Sequence, residues 1–245
     1  MRPVRTGGGG GFSSFFPTKT VAFKLALSLV VASIVVALLG KSGLADWVLL
    51  TPFRVLQNFA LWQLFTYAFV AIDPLGVIFG GIILWSMGGT LETTWGGKRL
   101  AIFVIATAAT AAVLTVGASF LVRDLQTVSL PGGGVMTSAV WLAYGWSMGS
   151  RQTNFWGIPL TGNMLAGIGI LFVALNAIMG SWIWVVPNLF AIPIIYAYVK
   201  FGSPMIWITR MRGWLLQRRL RAKSKHLRVV EKDRNVGGGS DSYLH

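Results

Sequence analysis

The chain has 245 residues, of which 54% are hydrophobic and only 11% charged, with a formal net charge of +14 and a mean hydropathy of +0.67. Soluble domains carry about a quarter of their residues as charged side chains, so a soluble fold is excluded and a polytopic all-α membrane protein is implied. About six spans of roughly 20 residues each would use the length and leave no room for a second domain.

In chain order, Met1 to Lys19 is a basic leader with a glycine run from Gly7 to Gly11, which reads as a flexible linker. Val21 to Leu39 is an apolar run broken only by Lys24, long enough for a first helix that is retained rather than cleaved. Lys41 to Trp62 is too broken to span. Ala45 to Val70 is read as a loop with short helices in the outer interface, anchored by Trp47 and Trp62.

Asp73-Pro74 then predicts a helix start, because Pro suits the first helical position and Asp caps it. The second span is expected over Pro74 to Thr90, with Gly76 and Gly80 as packing glycines. Leu91 to Arg99 is expected as a polar turn and Leu100 to Val122 as the third span. Val135 to Ser150 is a short fourth span, plausible only if it is buried among the other helices. A turn over Arg151 to Gly157, a fifth span over Ile158 to Val185 and a sixth over Val186 to Ile208, carrying Pro187 and Pro193, complete the membrane region. The domain division expected is a leader over 1–19, a six-helix membrane domain over 20–208 and a basic tail over 209–245 that begins as an interfacial amphipathic helix.

Charge sets the orientation. Of the 21 Lys and Arg residues, ten lie in 201–245, among them Arg210, Arg212, Arg218, Arg219 and Arg221. With the leader and Lys98-Arg99 they fall on one side of a six-span arrangement, so both termini are expected in the cytoplasm. The setting expected is a bacterial inner membrane, with anionic lipid head groups as partners of the tail. Nucleic acid is not an expected partner, since no soluble module carries the charge.

Chemistry, if any, is expected at Pro131 to Gly145, where a glycine run opens a helix and lets another group approach the backbone closely. Ser138 lies in this segment, but a hydroxyl needs a base within hydrogen-bond reach to act as a nucleophile. The chain has no cysteine, and its two histidines, His226 and His245, lie in the tail. No thiol nucleophile, Cys-ligated metal or intramembrane imidazole is therefore available, and no cofactor or metal site is expected.

The order of elements resembles the rhomboid superfamily from about Pro17 to Gly202. The motifs that carry the resemblance are Trp62-Gln63-Leu64-Phe65-Thr66-Tyr67, similar to the family's W-R-L-x-T-Y, and Glu92 with Trp95-Gly96 before Lys98-Arg99. Rhomboid proteases use a serine at the start of the fourth helix, a histidine in the sixth, and H-x-x-x-N in the second. By that resemblance the Gly-x-Ser-Gly reads Gly134-Val135-Met136-Thr137, so the nucleophile position is Met136. The second-helix positions fall on Gly76 and Gly80, and the sixth-helix histidine falls near Asn188.

Every catalytic position is thus substituted. Loss of one member of a serine-hydrolase catalytic unit costs about 10⁴ to 10⁶ in rate. The resemblance implies a catalytically inactive rhomboid-like protein, derlin-like by analogy, that binds transmembrane segments of client proteins laterally in the bilayer. Its alternative is a rhomboid-family intramembrane serine endopeptidase with a displaced nucleophile. A small transporter is a weaker third reading, for want of inverted repeats and buried charge pairs.

Overall fold

The structure is a computed structural model and describes residues 20–40, 43–155 and 158–202. The leader and the tail positions Arg210, Arg212, Arg218, Arg219 and Arg221 lie outside the described residues.

Helix α1, Val21–Leu39, has the expected bounds; the Thr20 hydroxyl caps it by accepting from the Phe23 N–H at 3.2 Å. Three short helices follow, α2 Leu44–Val48, α3 Pro52–Gln57 and α4 Gln63–Thr66, with a 3-10 turn over Tyr67–Phe69. Trp47 and Trp62 stack with ring centroids 5.8 Å apart, and the Trp62 indole N–H donates to the Trp47 carbonyl.

Helix α5, Pro74–Trp95, starts where expected, with the Asp73 carboxylate accepting from the Gly76 N–H. It does not end at Thr90. Leu91 and Trp95 continue its inward face, and the Thr93 and Thr94 hydroxyls donate back to the Thr90 and Leu91 carbonyls, so these polar residues do not interrupt it. The polar turn expected over Leu91 to Arg99 contracts to Gly96, whose φ of +83° few residues but glycine adopt. Helix α6, Gly97–Ala118, therefore begins three residues early, and α7, Asp124–Thr127, leads to the glycine run.

Helix α8, Gly133–Met148, covers the segment expected as a short fourth span, shifted two residues toward the N-terminus. The segment after it corrects the sequence reading. Gln152–Phe155 and Ile158–Thr161 form an antiparallel hairpin, β1 and β2, with Gln152 opposite Thr161. The next helix, α9, accordingly runs over Gly162–Met179, capped by the Thr161 hydroxyl, and not from Ile158. Helix α10, Trp182–Phe201, starts four residues before the expected Val186 and keeps both Pro187 and Pro193 inside it.

Among the described residues, α1, α5, α6, α9 and α10 are long and apolar enough to cross a membrane. The protein is mostly helical and fits an all-α membrane class, with α8 shorter than these five. Helices α5, α6, α9 and α10 all pack on α8, and α1 packs mainly on α5. This position explains why so short a helix is stable, since Val135, Met136, Ala139, Val140, Leu142 and Ala143 meet no solvent or lipid at all.

Candidate functional site

The glycine run before α8 is needed for packing against the outer segment. The Gly132 N–H donates to the Tyr67 carbonyl and the Gly133 N–H to the Val70 carbonyl, each at 2.9 Å. A Cβ at Gly132 would clash with the edge of the Tyr67 ring, and one at Gly133 would lie 2.9 Å from the Ala71 nitrogen. Tyr67 is itself fully buried and donates its phenol to the Ala108 carbonyl on α6 at 2.7 Å. Burial pushes that phenol well above its usual range, so it stays a neutral donor. The close approach expected at these glycines is real, and the group that approaches is the protein's own chain.

Of the positions that the resemblance assigns, Asn188 and Gly80 reach the first turns of α8, at Gly134 and Thr137, while the Met136 side chain turns into the core. Met136 is 0% exposed. A Cβ on Gly134 would lie 3.2 Å from the Asn188 amide nitrogen, so α10 delivers Asn188 to the start of α8. The Asn188 Oδ1 is buried and accepts no hydrogen bond from the described residues. Gly80 of α5 faces Thr137, whose Oγ1 would be 2.8 Å from an added Cβ. Gly76 does not join this group; it sits against the Asp73 carboxylate at the start of α5.

Ser138 is half-buried, and its hydroxyl has no partner among the described residues. One residue earlier, the Thr137 hydroxyl donates to the Gly133 carbonyl at 2.9 Å, an i−4 bond to its own helix. Thr137 was missed by sequence reasoning because its role depends on which way α8 faces. Gly134, Thr137, Ser138 and Trp141 follow helical spacing and form one face, with Gly134 exposed and the other three half-buried.

Two helices frame that face. On one side α5 meets Thr137 through Gly80. On the other, the Trp141 indole donates to the Leu165 carbonyl of α9 at 2.8 Å and packs on Phe172. Helices α5 and α9 do not pack substantially on each other, and the α8 face that lies between them keeps partial exposure at Thr137, Ser138 and Trp141, with Asn188 of α10 against it at Gly134.

The remaining motif residues lie elsewhere and hold the frame. Gln63, fully buried, donates to the Asp46 carbonyl at 2.8 Å and the Trp47 carbonyl at 3.4 Å, and accepts from the Thr51 N–H at 3.1 Å. It thereby ties three parts of the outer segment together without an arginine. At the far end of α5, the Glu92 carboxylate accepts from the Val21 N–H at 3.0 Å and the Ala22 N–H at 2.8 Å, capping α1 from another helix. Trp95 packs edge-on to Phe103, and Gly96 makes the α5–α6 turn. Among the described residues no three His, Cys, Asp or Glu side chains gather into a metal-binding set.

Comparison with known proteins places this architecture. A family model described as "Eukaryotic integral membrane protein (DUF1751)" matches residues 23–203. Rhomboid protease GlpG of Salmonella paratyphi A is 26% identical over 164 residues, which is 66% of this chain and 53% of that protein. Its counterpart from Salmonella typhi is 25% identical over the same shares. The chain thus spans about half the length of the curated relatives it matches. The motif order, the buried short helix and these matches agree: the chain belongs to the DUF1751 family of integral membrane proteins, within the rhomboid superfamily, and crosses the membrane several times.

Proposed function

We propose that this protein binds transmembrane segments of client proteins laterally from the bilayer, and retains or escorts them without cutting. In this reading α8 is a sixth, shortened crossing and both termini are cytoplasmic. A bacterial inner membrane is one setting with that arrangement, and the family description adds eukaryotic membranes. The observation that carries the proposal is the partly exposed face of Gly134, Thr137, Ser138 and Trp141, flanked by α5 and α9. Small residues let a partner helix approach backbone to backbone, and hydroxyls offer hydrogen bonds that lipid tails cannot.

The absence of cutting rests on chemistry. By the resemblance Met136, a thioether, stands at the family's serine position, and it is fully buried. Asn188 lies against Gly134 but is no general base, since an amide does not take up a proton near neutral pH. The competing reading, a displaced nucleophile, draws on the unpartnered hydroxyl of Ser138.

A photo-crosslinking side chain at position 138 of the full-length protein in native membranes should capture intact membrane-spanning partners. The same group at Ile102, a lipid-facing residue of α6, should capture far fewer. Equal capture at both sites would remove the basis for a client face. Fluorophosphonate probes are expected to leave the protein unlabelled, and labelling abolished by Ser138→Ala would favour the peptidase.

A further inference from the structure

The turn between α5 and α6 presents an arginine that is clamped in place and left with work undone. Arg99 lies with its guanidinium carbon 5.3 Å from the Trp95 ring centroid and 5.7 Å from that of Tyr198. Its Nε donates to the Tyr198 hydroxyl at 3.2 Å. Phe103 backs both rings, at 5.4 Å from Trp95 and 4.5 Å from Tyr198. Three helices thus fix one side chain, while its two terminal nitrogens take no partner among the described residues.

Among the described residues no carboxylate pairs with Arg99. Glu92, an acid near this turn, has both oxygens engaged by the first turn of α1. The first turn of α6 holds no acid, although Lys98 and Arg99 both stand in it, at the end of a helix that disfavours cations. Lys200, near the end of α10, adds positive charge over the Tyr196 ring at this same end of the bundle.

We propose that Arg99, with Lys98 and Lys200 nearby, binds the phosphate of an anionic phospholipid headgroup. A planar guanidinium whose two terminal nitrogens are both unengaged matches a phosphate bidentately, and stacking has already removed the rotamer freedom that binding would otherwise cost. The apolar outer surface of the same helices places this turn at a membrane boundary, where such a headgroup is at hand. This site is separate from the α8 face, so it stands or falls independently of client binding.

The test uses the full-length protein in neutral detergent, titrated with phosphatidylglycerol, with phosphatidylcholine or with inorganic phosphate, while thermal unfolding is followed. Wild type should be stabilised by phosphatidylglycerol and not by phosphatidylcholine. Arg99→Lys keeps the charge but loses the fork, and Tyr198→Phe keeps the ring wall but releases Nε. Each should weaken the apparent lipid affinity on the order of tenfold. The cations of the tail are common to all three proteins, so the difference between them reports on this site. If both variants respond to phosphatidylglycerol as wild type does, with or without a lower starting melting temperature, Arg99 only packs and the proposal is wrong. A shift with inorganic phosphate equal to that with lipid would overturn the lipid as source.

Discussion

Gln63 shows how one side chain can replace another of different chemistry. Its amide both donates and accepts, so it holds two carbonyls and one N–H of the outer segment at once, fully buried. Gln63→Leu would leave those groups unpaired, each at a cost of about 1–3 kcal/mol. A loss of about 3 kcal/mol in unfolding free energy, measured in detergent, is the expected outcome. Glu92 acts on the same scale, since its carboxylate replaces the intrahelical acceptors that the first N–H groups of α1 lack. Glu92→Ala should destabilise by about 1–2 kcal/mol, and Glu92→Gln by less, because one amide oxygen still accepts.

Between elements, close approach of backbones decides the packing of α8 on α9. A Cβ on Gly145 would lie 2.8 Å from both the Ala166 nitrogen and the Gly162 carbonyl oxygen, and backbone cannot step aside as a flexible side chain can. Gly145→Ala should therefore cost about 1–3 kcal/mol by overpacking. Gly167, also on α9, has open space where its Cβ would be, so Gly167→Ala should be neutral or stabilising by about 0.5–1 kcal/mol. Comparing the two by thermal unfolding separates a packing glycine from a tolerated one. The α8 face itself depends on this pairing, since Trp141 is oriented by Leu165 and Gly169 of α9.

For the whole molecule, connectivity sorts the charges into two ends. Lys24, Lys98, Arg99, Arg151 and Lys200 stand at the start of α1, the α5–α6 turn, and the ends of α8 and α10. Arg54 and Arg123 lie toward the opposite ends with Asp46, Asp73 and Asp124, and Arg54 pairs with Asp46 at 3.2 Å. Positive charge near short loops is retained on the cytoplasmic side during insertion. Reporter fusions at Gly11 and at Gly237 should both report the cytoplasm; a fusion reporting the outside at either position would reverse or break the six-crossing arrangement proposed above.

Local signals in the chain were enough for a good part of this. The length of the apolar run gave α1 its bounds, Asp73-Pro74 gave α5 its start, and the glycine run marked the beginning of α8, because each acts on the few residues beside it. The family's motif order was legible too, as was the lack of any histidine before the tail. Other features had no local mark. The threonines after Thr90 look like a turn until their hydroxyls are seen to return to their own helix. The hairpin at 152–161 looks like the start of a span because Ile158 and Leu160 are apolar. The partners of Gln63, Glu92, Gly134 and Arg99 are distant in sequence, and only packing of the helices brings them together. Which face of α8 stays partly exposed was likewise decided by tertiary structure, since an apolar helix in a membrane carries little amphipathic signal to say which side its neighbours will cover.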